Sequence, residues 1–592
     1  MPDWSYHPIF KPILQKLPPS FSREFIHRGM SMISSSRIGE GLIEFLGHLE
    51  PSSKLAKNVF GVHFSTPVGL SGRIDPQLSG MKAFQNLGFG FIEIGPVSIR
   101  ESSEELYVDP KQEKIHRLTD ASAELTAAKE QLLSLKKKKI PFLINVEGTY
   151  QEAIQICEAL LPFSDGFILG SHTFQSASQF NQFKYELNKP IILSISQDDT
   201  LRLDYRPDGV LLTGNESPEK LIHKLAALRK LYSEDLPIIT TGCVKEPSDA
   251  IKLLESGASL ILLGDEYIFT GPGLPKRINE AYTSTFKMVE PVEAEGWRWY
   301  WLFGFAIAIA GFIALFFSMT SVILPYDERF LGIFRKDIIY FNPAILYFMA
   351  HDRMTLSGTM ISGGIIYMQL ARHGIRNGLH WARKAVNIAG TIGFLGIVLF
   401  IGYGYFDWLH GLFWLILLPL FILGYAKTRT ANASPASSNL SNSPQWKLSL
   451  FGQLCFVILG FSLAIGGMVI SVIGASHVFV PTDLAYLCLT PEALNEFNDR
   501  LIPVIAHDRA GFGSALLSVG LLVLMLALWG IREGERWVWW TFTIGAIPAF
   551  ASGIITHFFI NYTDFIHLLP AYFALLLYVI GVIATAPFLF KK

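Results

Sequence analysis

The chain has 592 residues, 49 Lys+Arg against 50 Asp+Glu, a formal net charge of −1 and 50% hydrophobic residues. That length exceeds one ordinary domain, and the near-neutral total averages two unlike halves, so charge alone identifies no partner. No basic stripe points to nucleic acid. The four cysteines, Cys157, Cys243, Cys455 and Cys488, form no C-x-x-C pair, which fits a reducing compartment and argues against a thiolate metal site.

The N-terminus lacks a charged-then-apolar signal segment, so the first half is expected to stay in the cytoplasm. Eight short apolar, β-branched runs follow: PVGLS (67–71), GFIEI (90–94), PFLINV (141–146), DGFIL (165–169), PIILSI (190–195), DGVLLT (208–213), PIITT (237–241) and SLILL (259–263). Most are separated by amphipathic stretches such as 120–139, 150–160, 217–232 and 247–256. Strands alternating with helical patterns predict a parallel sheet, and eight of them predict an α/β fold of the (β/α)8 TIM-barrel type. An open doubly wound sheet is the alternative, but no strand pattern is left over for an edge. Function in a barrel sits at the C-terminal strand ends.

At those ends the residues resemble a known family. "YHPIFKPILQKLPPSFSREFIHRGM" (6–30), "TPVGLSGRID", "GFGFIEIGPVS", "HRL" and "PIITTGCVKEPSDAIKLLESGASLILL…YIFTGPGLPKRI" look like the quinone-linked (class 2) dihydroorotate dehydrogenases, in order over about residues 4–280. The resemblance implies a pyrimidine-biosynthesis oxidoreductase with FMN as cofactor and quinone as electron acceptor. It also implies an N-terminal helical extension serving as the quinone entrance at the membrane.

Residue by residue, the match is incomplete. The family's A-A-G-x-D-K after the first strand reads Ser71-Gly72-Arg73-Ile74-Asp75-Pro76, with proline in the lysine's place. Its G-T-V-T-P reads Gly95-Pro96-Val97-Ser98-Ile99, and its N-R-M-G-F-N-N substrate loop has no counterpart. Asn145 matches a flavin-contacting asparagine, whereas Ser194 replaces a lysine and Gly214 an asparagine. Where the catalytic serine is expected stands "GSHTFQSA", with Thr173 or Phe174 at its position. Oxidising dihydroorotate needs a base within hydrogen-bond reach of the substrate proton. Thr173 or His172 could serve as base in another reaction, the histidine titrating nearer neutral pH. His172 could equally be a satisfied loop residue. Altered or lost dihydroorotate specificity is therefore expected.

The family's phosphate turns correspond to Gly242-Cys243-Val244 and Gly264-Asp265-Glu266. A dianionic phosphate beside two carboxylates is repelled unless they are screened or turned away. Two outcomes stay open: FMN bound at Gly72, Ser98, Asn145, Ser194, Gly242, Cys243 and Gly264, or a vacant or repurposed barrel.

From Trp297 onward the chain consists of apolar blocks near the length of a bilayer-crossing helix. "AHDRMTLSGTMISGGIIYMQLA" (350–371) and "AHDRAGFGSALLSVGLLVLMLA" (506–527) share 8 of 22 positions, and the register extends both ways at an offset of 156 or 157. This predicts a duplication: an all-α domain of eight spans in two four-helix repeats. The spans lie near 299–318, 355–371, 385–404, 409–426, 449–474, 511–530, 537–558 and 568–589. Four spans per repeat insert both copies in the same direction. The expected organisation is a helical extension (1–60), a barrel (61–290), repeat one (297–428), a polar linker (429–447) and repeat two (448–592).

Lysine and arginine asymmetry places the barrel and the C-terminus on the cytoplasmic side of a multi-pass protein of the cell membrane. The duplicated polar groups then gather at the outer face. They are Asp327, His351, Asp352, Arg353, Asp407 and His410, with their twins Asp483, His507, Asp508, Arg509, Asp564 and His567. Imidazoles and carboxylates at one depth suit a divalent metal, a proton-linked site or a small-molecule ligand; they could also merely cap helices and pair charges. His557 stands in the seventh span without a twin, and no partner histidine is evident for it. The rival to a redox enzyme is a non-catalytic barrel that binds a small molecule and regulates a membrane sensor or transport domain.

Overall fold

Alternation within short strands builds the first unit. The computed structural model describes residues 2–47, 51–195, 205–214, 217–232, 236–286, 294–396, 398–399, 405, 408–431 and 433–591. The eight runs become β1 Val68–Leu70, β2 Phe91–Ser98, β3 Phe142–Val146, β4 Gly166–Gly170, β5 Ile191–Ile195, β6 Gly209–Thr213, β7 Ile238–Thr241 and β8 Leu260–Leu263. All pair in parallel, and β8 returns to β1 with Ile261 opposite Val68, closing a (β/α)8 barrel.

Phe91, Leu143, Ile168, Ile192, Leu211, Ile239 and Leu262 fill the interior. Their strand neighbours, such as Ile92, Ile144 and Leu169, pack outward against the helices. An antiparallel hairpin, Lys57–Val59 with Val62–Phe64, adds Val59 and Phe64 to the interior cluster. Phe64 meets Phe91, the first residue of β2, edge-on at 5.2 Å, so the hairpin plugs the N-terminal end. The opposite end carries the candidate site residues.

The N-terminal extension is helical, with α1 Pro19–Ile33 and α2 Arg37–Gly47. Its first residues dock beyond β8: Asp3 accepts from the Gly273 N–H at 2.9 Å, and Lys11 donates to the Phe269 carbonyl at 2.8 Å. The expected linker needs correction. Residues 434–443 belong to the same compact unit as the barrel. Ser437 donates its N–H to the Glu280 carbonyl at 3.2 Å, and Arg277 donates to Asn442 at 2.6 Å, so this segment is no free spacer.

The second compact unit is Val289–Ala433 with Pro444–Lys592. Its long helices are α3 Trp297–Thr320, α4 Pro343–Gln369, α5 His380–Leu395 and α6 Trp408–Lys427, then α7 Pro444–Ala475, α8 Leu501–Trp529, α9 Arg536–Phe550 and α10 Phe565–Leu589. Among the described residues six helices, all of these but α4 and α5, are long and apolar enough to cross a membrane; the α9 span continues to Phe559. Against the eight expected, α4 has the length but carries Thr355, Ser357, Thr359 and Ser362, all buried among its neighbours. A helix surrounded by protein need not be apolar all round.

Hydropathy also misses two pairs of short helices, Pro325–Leu331 with Arg335–Phe341 and Pro481–Leu487 with Pro491–Phe497, which repeat at the same offset. Contacts between the repeats are reciprocal. Asn342 donates to the Leu487 carbonyl and Asn498 to the Leu331 carbonyl, both at 2.9 Å. Phe341 stacks on Phe497 at 4.0 Å.

Within each repeat a seam of small residues brings two helices together. Gly304 and Gly311 of α3 face Gly364, Ile361 and Ser357 of α4, and Gly460 and Gly467 of α7 face Leu524, Leu517 and Gly513 of α8. Small residues let backbones approach where apolar burial gives no drive between helices. A side chain at Gly467 would run into the α8 backbone. Gly467→Leu is expected to destabilise the unit by about 1–3 kcal/mol or to prevent its assembly, read as a lower thermal-unfolding midpoint in detergent. Gly466→Leu, where nothing lies within 4 Å, should leave the midpoint unchanged.

Candidate functional site

The C-terminal mouth of the barrel is lined, two residues above the apolar interior layer, by Ser71, Glu93, Asn145, Gly170, Ser194, Thr213 and Thr241. Glu93 is the charged member of that layer, and it is buried and fully engaged. Its carboxylate accepts from Ser71 Oγ at 2.8 Å, the Gly72 N–H at 3.0 Å and Asn145 Nδ2 at 2.7 Å. Gly72 and Asn145, both expected to face a flavin, are thus joined through a side chain of the protein itself. Sequence reading passed over Glu93, although a carboxylate at the third position of an otherwise apolar strand was the available signal.

The turns after β7 and β8 are treated likewise. Gly242 and Cys243 both have positive φ, +89° and +62°, which turns the Cys243 N–H out of the strand. That N–H donates to Glu266 Oε1 at 3.2 Å. Burial pushes the Glu266 carboxyl above its ordinary value, and Asp265 adds to the rise. Burial, then the charge of Glu266, pushes the Cys243 thiol up to about 11. A carboxylate therefore stands on the anion-binding turn, beside Gly264. Asp265 turns the other way, into a bidentate pair with Arg117 at 2.6 and 2.8 Å. Arg117 also donates to Glu104 at 2.8 Å, and Glu104 pairs with Arg23 of α1. Residues arranged in this way do not fit a flavin phosphate: the turn's donor already serves a carboxylate, and a dianion there would meet like charge.

The remaining candidates are dispersed. His172 is exposed, with its ring against Gly170, and Thr173 is buried. Phe174 packs into an aromatic cluster with Tyr150, Phe180 and Phe183, which puts a phenyl group rather than a base beside β4. Ser98 is spent on Ser122 at 2.7 Å and on the Arg100 carbonyl. Ser194 stays on the mouth layer of β5.

In the helical unit the duplicated polar residues do converge. Arg353 of repeat one donates to Asp508 of repeat two at 2.6 Å and to Asp327 at 2.9 Å. Arg509 returns the exchange, donating to Asp352 at 3.3 Å and to Asp483 at 2.5 Å. Each arginine also donates to a carbonyl, Val322 or Val478. Tyr405 donates to Asp327, and Tyr562 to Asp483. His351 and His507 each face the aspartate that follows them, at 2.9 and 3.3 Å. His410 lies ring to ring with His507 at 4.8 Å. Asp564 stands apart as an exposed N-cap that accepts from the His567 N–H, and Asp407 lies outside the described residues. His557 is not solitary as expected: its Nε2 lies 3.0 Å from that of His351. Its offset partner in the first repeat is Phe400, so the periodicity gave no hint of it.

The fold and mouth define a (β/α)8 barrel with a helical N-terminal extension, carried on one chain with a duplicated unit of membrane-span character. The barrel half is similar to proteins named dihydroorotate dehydrogenase (quinone). One from Chloroflexus aurantiacus is 24% identical over 329 residues, covering 44% of this chain and 90% of the relative. Another from Kineococcus radiotolerans is 21% identical over 348 residues, covering 46% and 93%. A third, from a Marinomonas species, is 24% identical over 348 residues, covering 47% and 96%. The solved dihydroorotate dehydrogenase of Eimeria tenella in complex with ferulenol aligns with 41% of this chain and 89% of its own at 16% identity and a TM-score of 0.35. No family model matches the chain. The barrel half is thus dihydroorotate dehydrogenase-like, and these alignments leave more than half of the chain uncovered.

Removing Arg117 leaves Asp265 without its cation and Glu104 with Arg23 alone. Arg117→Ala should cost about 3 kcal/mol of barrel stability, and Arg117→Lys should recover less than half, because lysine lacks the planar fork. Denaturant unfolding of the full chain measures both. In the helical unit, Arg353→Ala and Arg509→Ala should each cost about 3–5 kcal/mol by leaving two buried carboxylates unpaired. The reciprocal exchange predicts similar losses from either repeat, read by thermal unfolding in detergent.

Proposed function

We propose that the barrel is a ligand-binding module that has left flavin chemistry. It would belong to a multi-pass protein of the cell membrane with barrel and C-terminus cytoplasmic, as the lysine and arginine asymmetry suggests. The observation that carries the reading is the Glu266 carboxylate on the Cys243 N–H, where the resemblance assigns the flavin phosphate. Glu93 supports it by accepting the Asn145 Nδ2 and Gly72 N–H donors that the resemblance assigns to a flavin.

The ligand proposed is a flat apolar ring compound of the quinone class. A cavity of about 440 Å³ lies between the N-terminal helices and the barrel, walled by Leu14, Ile26, Met30, Phe84 and Leu106, with Arg117 as a polar contact. That volume lies within the range of small-molecule pockets. Phe21, Phe25, Met32, Ile38 and Leu42 on the outside of the same helices are exposed, as an entrance meeting lipid would require. Ligand occupancy would then be a signal to the membrane domain carried on the same chain. The redox alternative, an FMN-dependent oxidoreductase passing electrons to quinone, is favoured by the relatives' names and needs Glu266 to leave the turn.

The test is the visible spectrum of the full-length protein purified in detergent, before and after added FMN. No flavin band, no uptake of FMN, and binding of a short-chain quinone analogue are expected. Ile26→Trp should fill the cavity and weaken that binding at least about tenfold, about 1.4 kcal/mol. Stoichiometric FMN in the wild-type protein would overturn the reading and restore the enzyme.

A further inference from the structure

We infer that His351, His557 and His567 form a binding site for a divalent first-row transition-metal ion at the interface between the two repeats. The inference rests on the helical unit alone and stands whether or not the barrel binds flavin or quinone. One ring nitrogen from each of the three residues lies within 4.8 Å of the others. His351 and His557 are buried and His567 half-buried, which leaves one side of the cluster approachable.

The hydrogen bonds decide which nitrogens are available. His351 Nδ1 lies 2.9 Å from Asp352 Oδ1, and Asp352 is held as a carboxylate by Arg509, so Nδ1 carries the proton and donates it. His557 Nδ1 lies 2.6 Å from the Gly553 carbonyl, which can only accept. Tyr562 donates its hydroxyl proton to Asp483 at 2.8 Å, so its oxygen accepts from His567 Nδ1 at 3.1 Å. All three imidazoles are therefore fixed as the tautomer with Nε2 bare.

Two bare Nε2 atoms, those of His351 and His557, face each other at 3.0 Å. With both rings neutral neither has a proton to donate, and the contact is a meeting of two lone pairs that only a shared proton or a cation can bridge. A cation between them relieves it. Nitrogen ligands about 2.05 Å from a tetrahedral ion stand about 3.3 Å apart, close to the spacing seen. Imidazole suits zinc, copper, iron or nickel, and three histidines leave a fourth position open. Carboxylate, carbonyl and phenol acceptors on the far nitrogens are the outer shell such sites use.

His557 follows a π-helical stretch, Ala551–Ile555, at the end of α9, a distortion that frequently marks functional positions. The set related by the duplication offset serves as an internal control. His410, His507 and Tyr405 correspond to His567, His351 and Tyr562, but Phe400 stands at the offset of His557.

The test uses the full-length protein purified in detergent on a tag without histidine, with metal content measured directly and Co2+ titrated as a spectroscopic probe. One equivalent of bound metal per chain, or of Co2+ with tetrahedral ligand-field bands displaced by Zn2+, is expected. His557→Phe and His567→Ala should each lower Co2+ affinity at least about 100-fold, and His410→Ala should leave it unchanged. A wild-type protein that is monodisperse yet takes up neither Zn2+ nor Co2+ overturns the inference, even if the variants fail to fold. Undiminished binding by His557→Phe also overturns it.

Discussion

The exchange of Arg353 with Asp508 and of Arg509 with Asp352 is the constraint around which the helical unit is organised. Two guanidinium groups and four carboxylates lie where apolar helices meet, and taking such charges from water costs several kcal/mol each unless they are paired and hydrogen-bonded. Each arginine meets that demand with one aspartate from its own repeat, one from the other, and a carbonyl. Neither repeat could bury its Asp-Arg pair alone: Asp352 and Asp508 would be left without their cations. The duplication and the interface therefore require one another, as in other buried networks that fix register more than they add stability. The reciprocal Asn342–Leu487 and Asn498–Leu331 bonds extend the same symmetry through neutral groups.

The barrel solves a related problem differently. A barrel mouth built for an anionic cofactor presents unpaired N–H groups at its turns, and these must find acceptors. Here Glu266 supplies the acceptor for Cys243, and Glu93 supplies it for Gly72. The same carboxylate that satisfies the turn opposes a phosphate, so internal satisfaction and cofactor binding exclude each other at this point. The Arg23–Glu104–Arg117–Asp265 chain continues the pattern toward the N-terminal helices. It neutralises Asp265 and ties α1 to the antiparallel pair Glu105–Asp109 with Lys114–Thr119 and to the segment after β8.

Much of this architecture was legible in the sequence because it rests on periodicity. The eight strands announced themselves as apolar, β-branched runs between amphipathic stretches, and the duplication as an offset of 156 or 157 carrying A-H-D-R. What escaped was set by direction and by non-local pairing. Nothing in "LLGDEYI" distinguishes a glutamate pointing into the turn from one pointing to solvent, yet the cofactor question turns on that choice. Glu93 was passed over because its strand signal is apolar. Seven-residue helices such as Pro325–Leu331 lie below the resolution of hydropathy, and so the helices that seat Asp327 and Asp483 were not predicted. His557 was noted, but with no twin its approach to His351 could not be read from the repeat.

The departures from symmetry are therefore the informative ones. A duplicated network of Arg, Asp and Tyr is what folding requires, and both copies retain it: Tyr405 on Asp327, Tyr562 on Asp483, each aspartate on its arginine. A histidine at 557 is not required by that network, since Phe400 occupies the corresponding position of the first copy. It nevertheless stands with its Nδ1 held by a backbone carbonyl and its Nε2 directed at another bare nitrogen. A purely structural residue at a helix end would gain more from an apolar side chain than from that contact. Duplication supplied two copies of the His-Tyr-His set, and only the one completed by position 557 has a third imidazole in the sequence.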